Sequence, residues 1–69
     1  MKTELLIIKS RENYIRFKDD AYHLCSFDKA SVFPMNKLDT VNEHIVKLKA
    51  SGFEDACIKK LIIEERDFE

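Results

Sequence analysis

Glycine and proline are almost missing from this chain, with one of each in 69 residues. That excludes a Gly/Pro-rich linker and a low-complexity tract. It also excludes a glycine-rich phosphate loop, which needs several positions without a Cβ. Cysteine is scarce too: Cys25 and Cys57 are the only two. Secreted mini-domains of this size are usually stapled by several disulfides, so these two read as reduced thiols packing like small hydrophobes. Charge of one sign is not in excess, because Lys+Arg 12 nearly cancels Asp+Glu 13 and leaves a formal net charge of -1. No global field therefore draws the molecule to nucleic acid or to an anionic membrane. Long hydrophobic runs are absent as well. Leu5-Leu6-Ile7-Ile8 is too short for a signal peptide or a bilayer span, and a cytoplasmic protein without membrane contact is expected.

What is present is ample apolar material. The hydrophobic fraction is 45% and the charged fraction 36%. Disordered chains combine low hydrophobicity with high net charge, and this chain has neither. One domain over 1–69 is expected, with a frayed tail at its end. Such a domain buries only roughly 60% of its unfolded surface, which makes its stability marginal.

Alternation and periodicity place the elements. Residues 3–9 read as a strand with Leu5 and Ile7 on one face and Leu6 and Ile8 on the other. Both faces are apolar, which predicts a central or doubly covered strand. After the polar break Ser10-Arg11-Glu12-Asn13, residues 14–18 alternate: Ile15 and Phe17 inward, Tyr14, Arg16 and Lys18 outward. The two segments predict a hairpin. Asp19-Asp20 is the next turn, 22–27 a third strand and 30–33 a short fourth, ended by Pro34. Leu38, Val41, Ile45 and Leu48 form one stripe of a helix over 37–50, with Asn36 as its N-cap or Thr40 and Glu43 as a capping box. Gly52 suits the left-handed position after the helix, with Phe53 folding back on it. Residues 56–65 are the last strand. Ile58 and Leu61 share a face only if a bulge falls at Lys59-Lys60.

The fold class is therefore α+β: a small, mostly antiparallel sheet of four or five strands in the order β-β-β-(β)-α-β, with one helix on one face. One helix of about four turns covers only one side of such a sheet. The other side is expected to carry some of Leu6, Ile8, Tyr14, Cys57, Leu61 and Ile63. Apolar patches of this kind are rare on monomers, which predicts a homodimer or a protein partner there. Otherwise the sheet twists and Lys and Tyr stems lie over the patch.

Chemistry-bearing motifs are few. His23, Cys25, His44 and Cys57 would suffice in number for zinc, but no close Cys or His pair occurs, so no metal and no cofactor is expected. No oriented base or electropositive pocket activates a thiol, no Gly-x-Ser-x-Gly elbow is present, and the chain is small for an enzyme pocket. Catalysis is not expected. Tyr14, Arg16 and Lys18, with Tyr22 nearby and Lys9, Arg11 and Lys29 as extensions, interleave aromatic and basic groups as sheets that bind nucleic acid do. The plain alternative is an ordinary solvent-facing strand. A sheet edge can also accept a partner strand. The stretch from Tyr22 to Ile63, which contains KASGFEDACIKKL, is loosely similar to half of a sporulation-related peptidoglycan-binding repeat; it lacks the second half, and that likeness assigns no residue a role.

The sequence thus points to a non-enzymatic protein–protein interaction module, self-associating through an apolar sheet face or edge and depending on Leu61. The alternative is a small nucleic-acid-binding domain using Tyr14, Arg16 and Lys18.

Overall fold

A strand that is apolar on both faces has to be covered on both, and β1 (Lys2–Ser10) occupies the centre of the sheet. The computed structural model describes residues 2–68. β5 (Ala56–Glu64) pairs antiparallel with β1 along all nine residues, from Lys2↔Glu64 to Ser10↔Ala56. The other edge of β1 is shared. β2 (Asn13–Lys18) holds its end through Lys9↔Tyr14 and Ser10↔Asn13, and β4 (Val32–Pro34) holds Leu5 to Ile7. β3 (Ala21–Cys25) extends the sheet beyond β2. The expected order β-β-β-β-α-β is the observed one, with every pairing antiparallel.

Two tight turns set the registers. Asp19 and Asp20 have φ of 54° and 59°, the pattern of a type I′ hairpin turn, whose twist matches that of the flanking strands. Asp tolerates this region because its short polar side chain bonds locally. Arg11, at φ 58°, starts the β1–β2 turn. Past Tyr14, β2 leaves β1 and is tied instead to the approach to β4. The Ser31 N–H donates to the Ile15 carbonyl at 3.1 Å, and the Phe17 N–H donates to the Ser31 hydroxyl at 2.9 Å.

The helix α1 (Leu38–Ala50) lies on one face. Val41 and Leu48 meet Leu6, Ile8, Ile15 and Ala56 in the buried core, flanked by Tyr22, Phe33, Ile45, Phe53 and Ile58. The expected stripe is thus present, except that Leu38 in the first turn is exposed. The helix end is a Schellman motif: Gly52 has φ 101°, its N–H donates to the Lys49 carbonyl at 3.3 Å, and the Phe53 N–H donates to the Leu48 carbonyl at 2.9 Å.

Four expectations are corrected. Asn36 is not the N-cap, and Thr40 and Glu43 lie inside the helix. A 3-10 turn over Met35–Lys37 runs straight into α1, so no extended residue presents a capping side chain, and Lys37 at the cap makes no side-chain bond. The third strand stops at Cys25, because Phe27–Lys29 forms another 3-10 turn, in which the Ser26 hydroxyl donates to Asp28 at 2.5 Å. β5 has no bulge: its register is unbroken, so Ile58 and Leu61 lie on opposite faces. Leu6 and Ile8 belong to the helix-side core, and Leu5 and Ile7 take the other face.

Candidate functional site

The pleat sorts the strand side chains into two sets, because cross-strand partners share a face and neighbours alternate. Toward the helix point Lys2, Glu4, Leu6, Ile8, Ile15, Phe17, Phe33, Ile58, Lys60 and Glu64, among others. Both strand carboxylates lie on this side, in surface pairs: Glu4 with Lys60 at 3.6 Å, and Glu64 with Lys2 at 3.7 Å and with Arg66. The helix-free face carries Lys9, Tyr14, Arg16, Lys18, His23 and Lys59 around the apolar Leu5, Ile7, Val32, Leu61 and Ile63. Among the described strand residues, no carboxylate points to this face. The near-zero net charge therefore conceals a segregation: among the described residues, the other acids lie in the turns, on the helix and in the segment after β5.

The groups on this face are contiguous by register. Lys18, Arg16 and Tyr14 follow one another along β2; Tyr14 is opposite Lys9, Lys9 is opposite Cys57, and Lys59 comes next along β5. The Lys9 ammonium stands 5.4 Å from the centre of the Tyr14 ring, within cation–π range. Phe27, half exposed, meets the Tyr14 ring edge-on at 5.3 Å and 76°. Ile7 is buried in the middle of the face between its partners Val32 and Lys59, so the centre is closed by its own neighbours. Val32 and Ile63 remain about half exposed.

The structure brings Tyr14, Arg16 and Lys18 together as the sequence reading has them, and it puts Leu61, half-buried, on the same face. Lys59 and Phe27 were missed as members. The supposed bulge hid the parity of Lys59, and Phe27 enters only because the chain leaves β3 early. Tyr22, by contrast, faces the helix. Its hydroxyl lies 2.6 Å from Nδ1 of His44, in a cluster with Phe17 and Phe33. Burial and then the Lys47 charge hold the His44 imidazole below its ordinary pKa, against a smaller opposing pull from Glu43. Burial pushes the Tyr22 phenol up.

Among the described residues, neither cysteine is placed against a base. Cys25 bonds the Tyr14 carbonyl at 3.6 Å, Cys57 is exposed on the helix-free face, and the sheet separates both from His44. Among the described residues, no group of three or more His, Cys, Asp or Glu side chains stands close enough to hold a metal ion. Two clefts flank the helix C-terminus. One, of about 380 Å³, contains Leu24, Phe53 and the Arg11–Asp55 pair; the other, of about 520 Å³, contains Tyr22, Lys47 and Phe53. The carboxylate of Asp55, bonded at 2.6 Å, raises the Arg11 guanidinium further above its ordinary pKa. Among the described residues, no helix is long and apolar enough to cross a membrane.

Comparison with protein families, curated proteins and solved structures finds no match to this chain.

Proposed function

We propose that this protein is a non-enzymatic binding module that takes an anionic partner on the helix-free face of its sheet. The observation that supports it is the charge segregation: Lys9, Arg16, Lys18 and Lys59 share a face to which, among the described residues, no strand carboxylate points. Like charges gathered without counter-charges repel one another, and an anionic partner relieves that repulsion while giving up its own counterions. Two copies meeting face to face would set these cations against their own equivalents, which disfavours that form of dimer.

The test is a titration of the protein with polyphosphate, polyglutamate and single-stranded oligonucleotides at several salt concentrations. Binding that weakens steeply with salt, and a salt slope lowered by about 1 in Arg16→Ala, support the reading. Failure to bind any of these polyanions at low salt overturns it.

A second reading, self-association, is favoured by the outer edge of β5. Among the described residues it pairs with no strand. It runs nine residues without a bulge or proline, and Ile62 and Ile63 beside it are about half exposed. Such an edge accepts another strand. Light scattering that shows a dimer, abolished by Ile62→Lys with Ile63→Lys, supports this reading. A monomer at all concentrations rejects it.

A further inference from the structure

Resting on the anionic-partner reading above, we infer that the partner is a single-stranded nucleic acid, held by base stacking on Tyr14 and Phe27 and by phosphate contacts along two basic arms.

The argument begins with the aromatic pair. Cations alone would satisfy an acidic peptide or polyphosphate, but this face also presents two aromatic rings where its basic arms meet. Lys18 and Arg16 lead to Tyr14 along β2, and Lys9 and Lys59 lead away from it toward β5. Phe27 stands nearly perpendicular to Tyr14, so the two rings turn their π-faces in different directions. Phe27 is 50% exposed although it is among the largest apolar side chains in the molecule. Burying its exposed half would gain hydrophobic free energy that the fold leaves unused. A base laid against that ring recovers it, and every base has a π-face to offer.

Spacing agrees with an extended strand. Tyr14, Arg16 and Lys18 stand on one face at alternate positions of β2, about 7 Å apart from one to the next. A backbone running along β2 meets a ring and then two cations in succession, and crossing to β1 and β5 it meets Lys9 and Lys59. His23, opposite Arg16, adds a donor beside that path. A duplex does not suit the site, because its bases are stacked on one another and present only edges in the grooves.

The experiment is fluorescence anisotropy with labelled oligo-dT and oligo-U of roughly 12 nucleotides, which separate DNA from RNA, with competition by the matching duplex, polyphosphate and polyglutamate. The expected result is that single strands bind more tightly than any competitor. Phe27→Ala and Tyr14→Ala each weaken them on the order of tenfold without changing the salt slope. Phe27→Trp restores binding. Phe27 is exposed, so its variants report on binding even if Tyr14→Ala impairs folding. If polyphosphate or polyglutamate competes equally at matched charge, or if Phe27→Ala binds as well as the parent, the stacking inference is wrong and the anionic-partner reading survives. If no polyanion binds, both fall.

Discussion

The Tyr22 hydroxyl and the Nδ1 of His44 lie 2.6 Å apart, joining the outermost strand of the sheet to the middle of the helix. Phe17 and Phe33 pack against the same imidazole, with ring centres 4.8 and 5.6 Å away. The contact makes His44 a packing residue of the helix–sheet interface, and the neutral imidazole is the form that interface favours.

Folding stability should therefore fall in mild acid. The folded pKa of His44 is lowered below the ordinary 6.5, so between the two values the unfolded chain binds the extra proton and is favoured. His44's contribution is complete above about 6.5 and is lost as pH falls through the folded value. Urea midpoints of the parent and His44→Gln, measured from about pH 7.5 to about pH 5, should converge toward acid. Parallel curves would show that the imidazole has no such role. At neutral pH, Tyr22→Phe should cost about 1 kcal/mol by losing the hydrogen bond while keeping the ring.

Gly52→Ala should lower stability by about 1 kcal/mol. A Cβ built there meets nothing within 4 Å, so the whole cost is the backbone strain of an alanine at φ 101°. A thermal melt checks this, and an unchanged midpoint would mean that the helix can end without its left-handed residue.

The β2–β3 turn predicts the opposite sign. Asp20 sits at φ 59°, which glycine adopts without the Cβ penalty. Asp20→Gly should raise stability slightly, read as a higher urea midpoint, because relief of the left-handed Cβ penalty exceeds the backbone entropy, about 0.4–1 kcal/mol, that glycine loses on folding. A loss of stability would indicate that the Asp20 side chain makes a bond the turn depends on.

Leu48→Ala should be the most damaging of these changes, at about 2–5 kcal/mol. Leu48 is fully buried, packs within the central cluster, and lends its carbonyl to the Schellman cap. Against the small stability of a 69-residue domain, such a loss leaves a large unfolded fraction. Circular dichroism at 25 °C should show it. Leu38→Ala, at an exposed position of the same sequence stripe, should be nearly neutral.

Much of the candidate face was legible in the alternation of 14–18. Tyr14, Arg16 and Lys18 share a face because period two demands it, whatever the strand pairs with. Its extension across the sheet was not legible. Whether Lys59 joins Lys9 depends on an unbroken β1–β5 register, and the apolar pattern of 56–65 predicts a bulge if Ile58 and Leu61 are to share one buried face. In fact both faces near β1 are partly buried, so Ile58 packs toward the helix and Leu61 toward the other side without one.

The sequence by itself determined the local elements: the doubly apolar first strand, the two tight turns, the helix stripe and its glycine stop. These follow from side-chain periodicity and backbone sterics within a few residues of each position. Tertiary structure alone decided three things. Ser31 is drawn onto β2, the Asn36 cap is displaced by a 3-10 turn, and basic and aromatic groups of three strands gather on one face to which no described strand carboxylate points. Each depends on contacts between residues far apart in the chain, and the register that sets those contacts comes from the packing of the core rather than from any single segment.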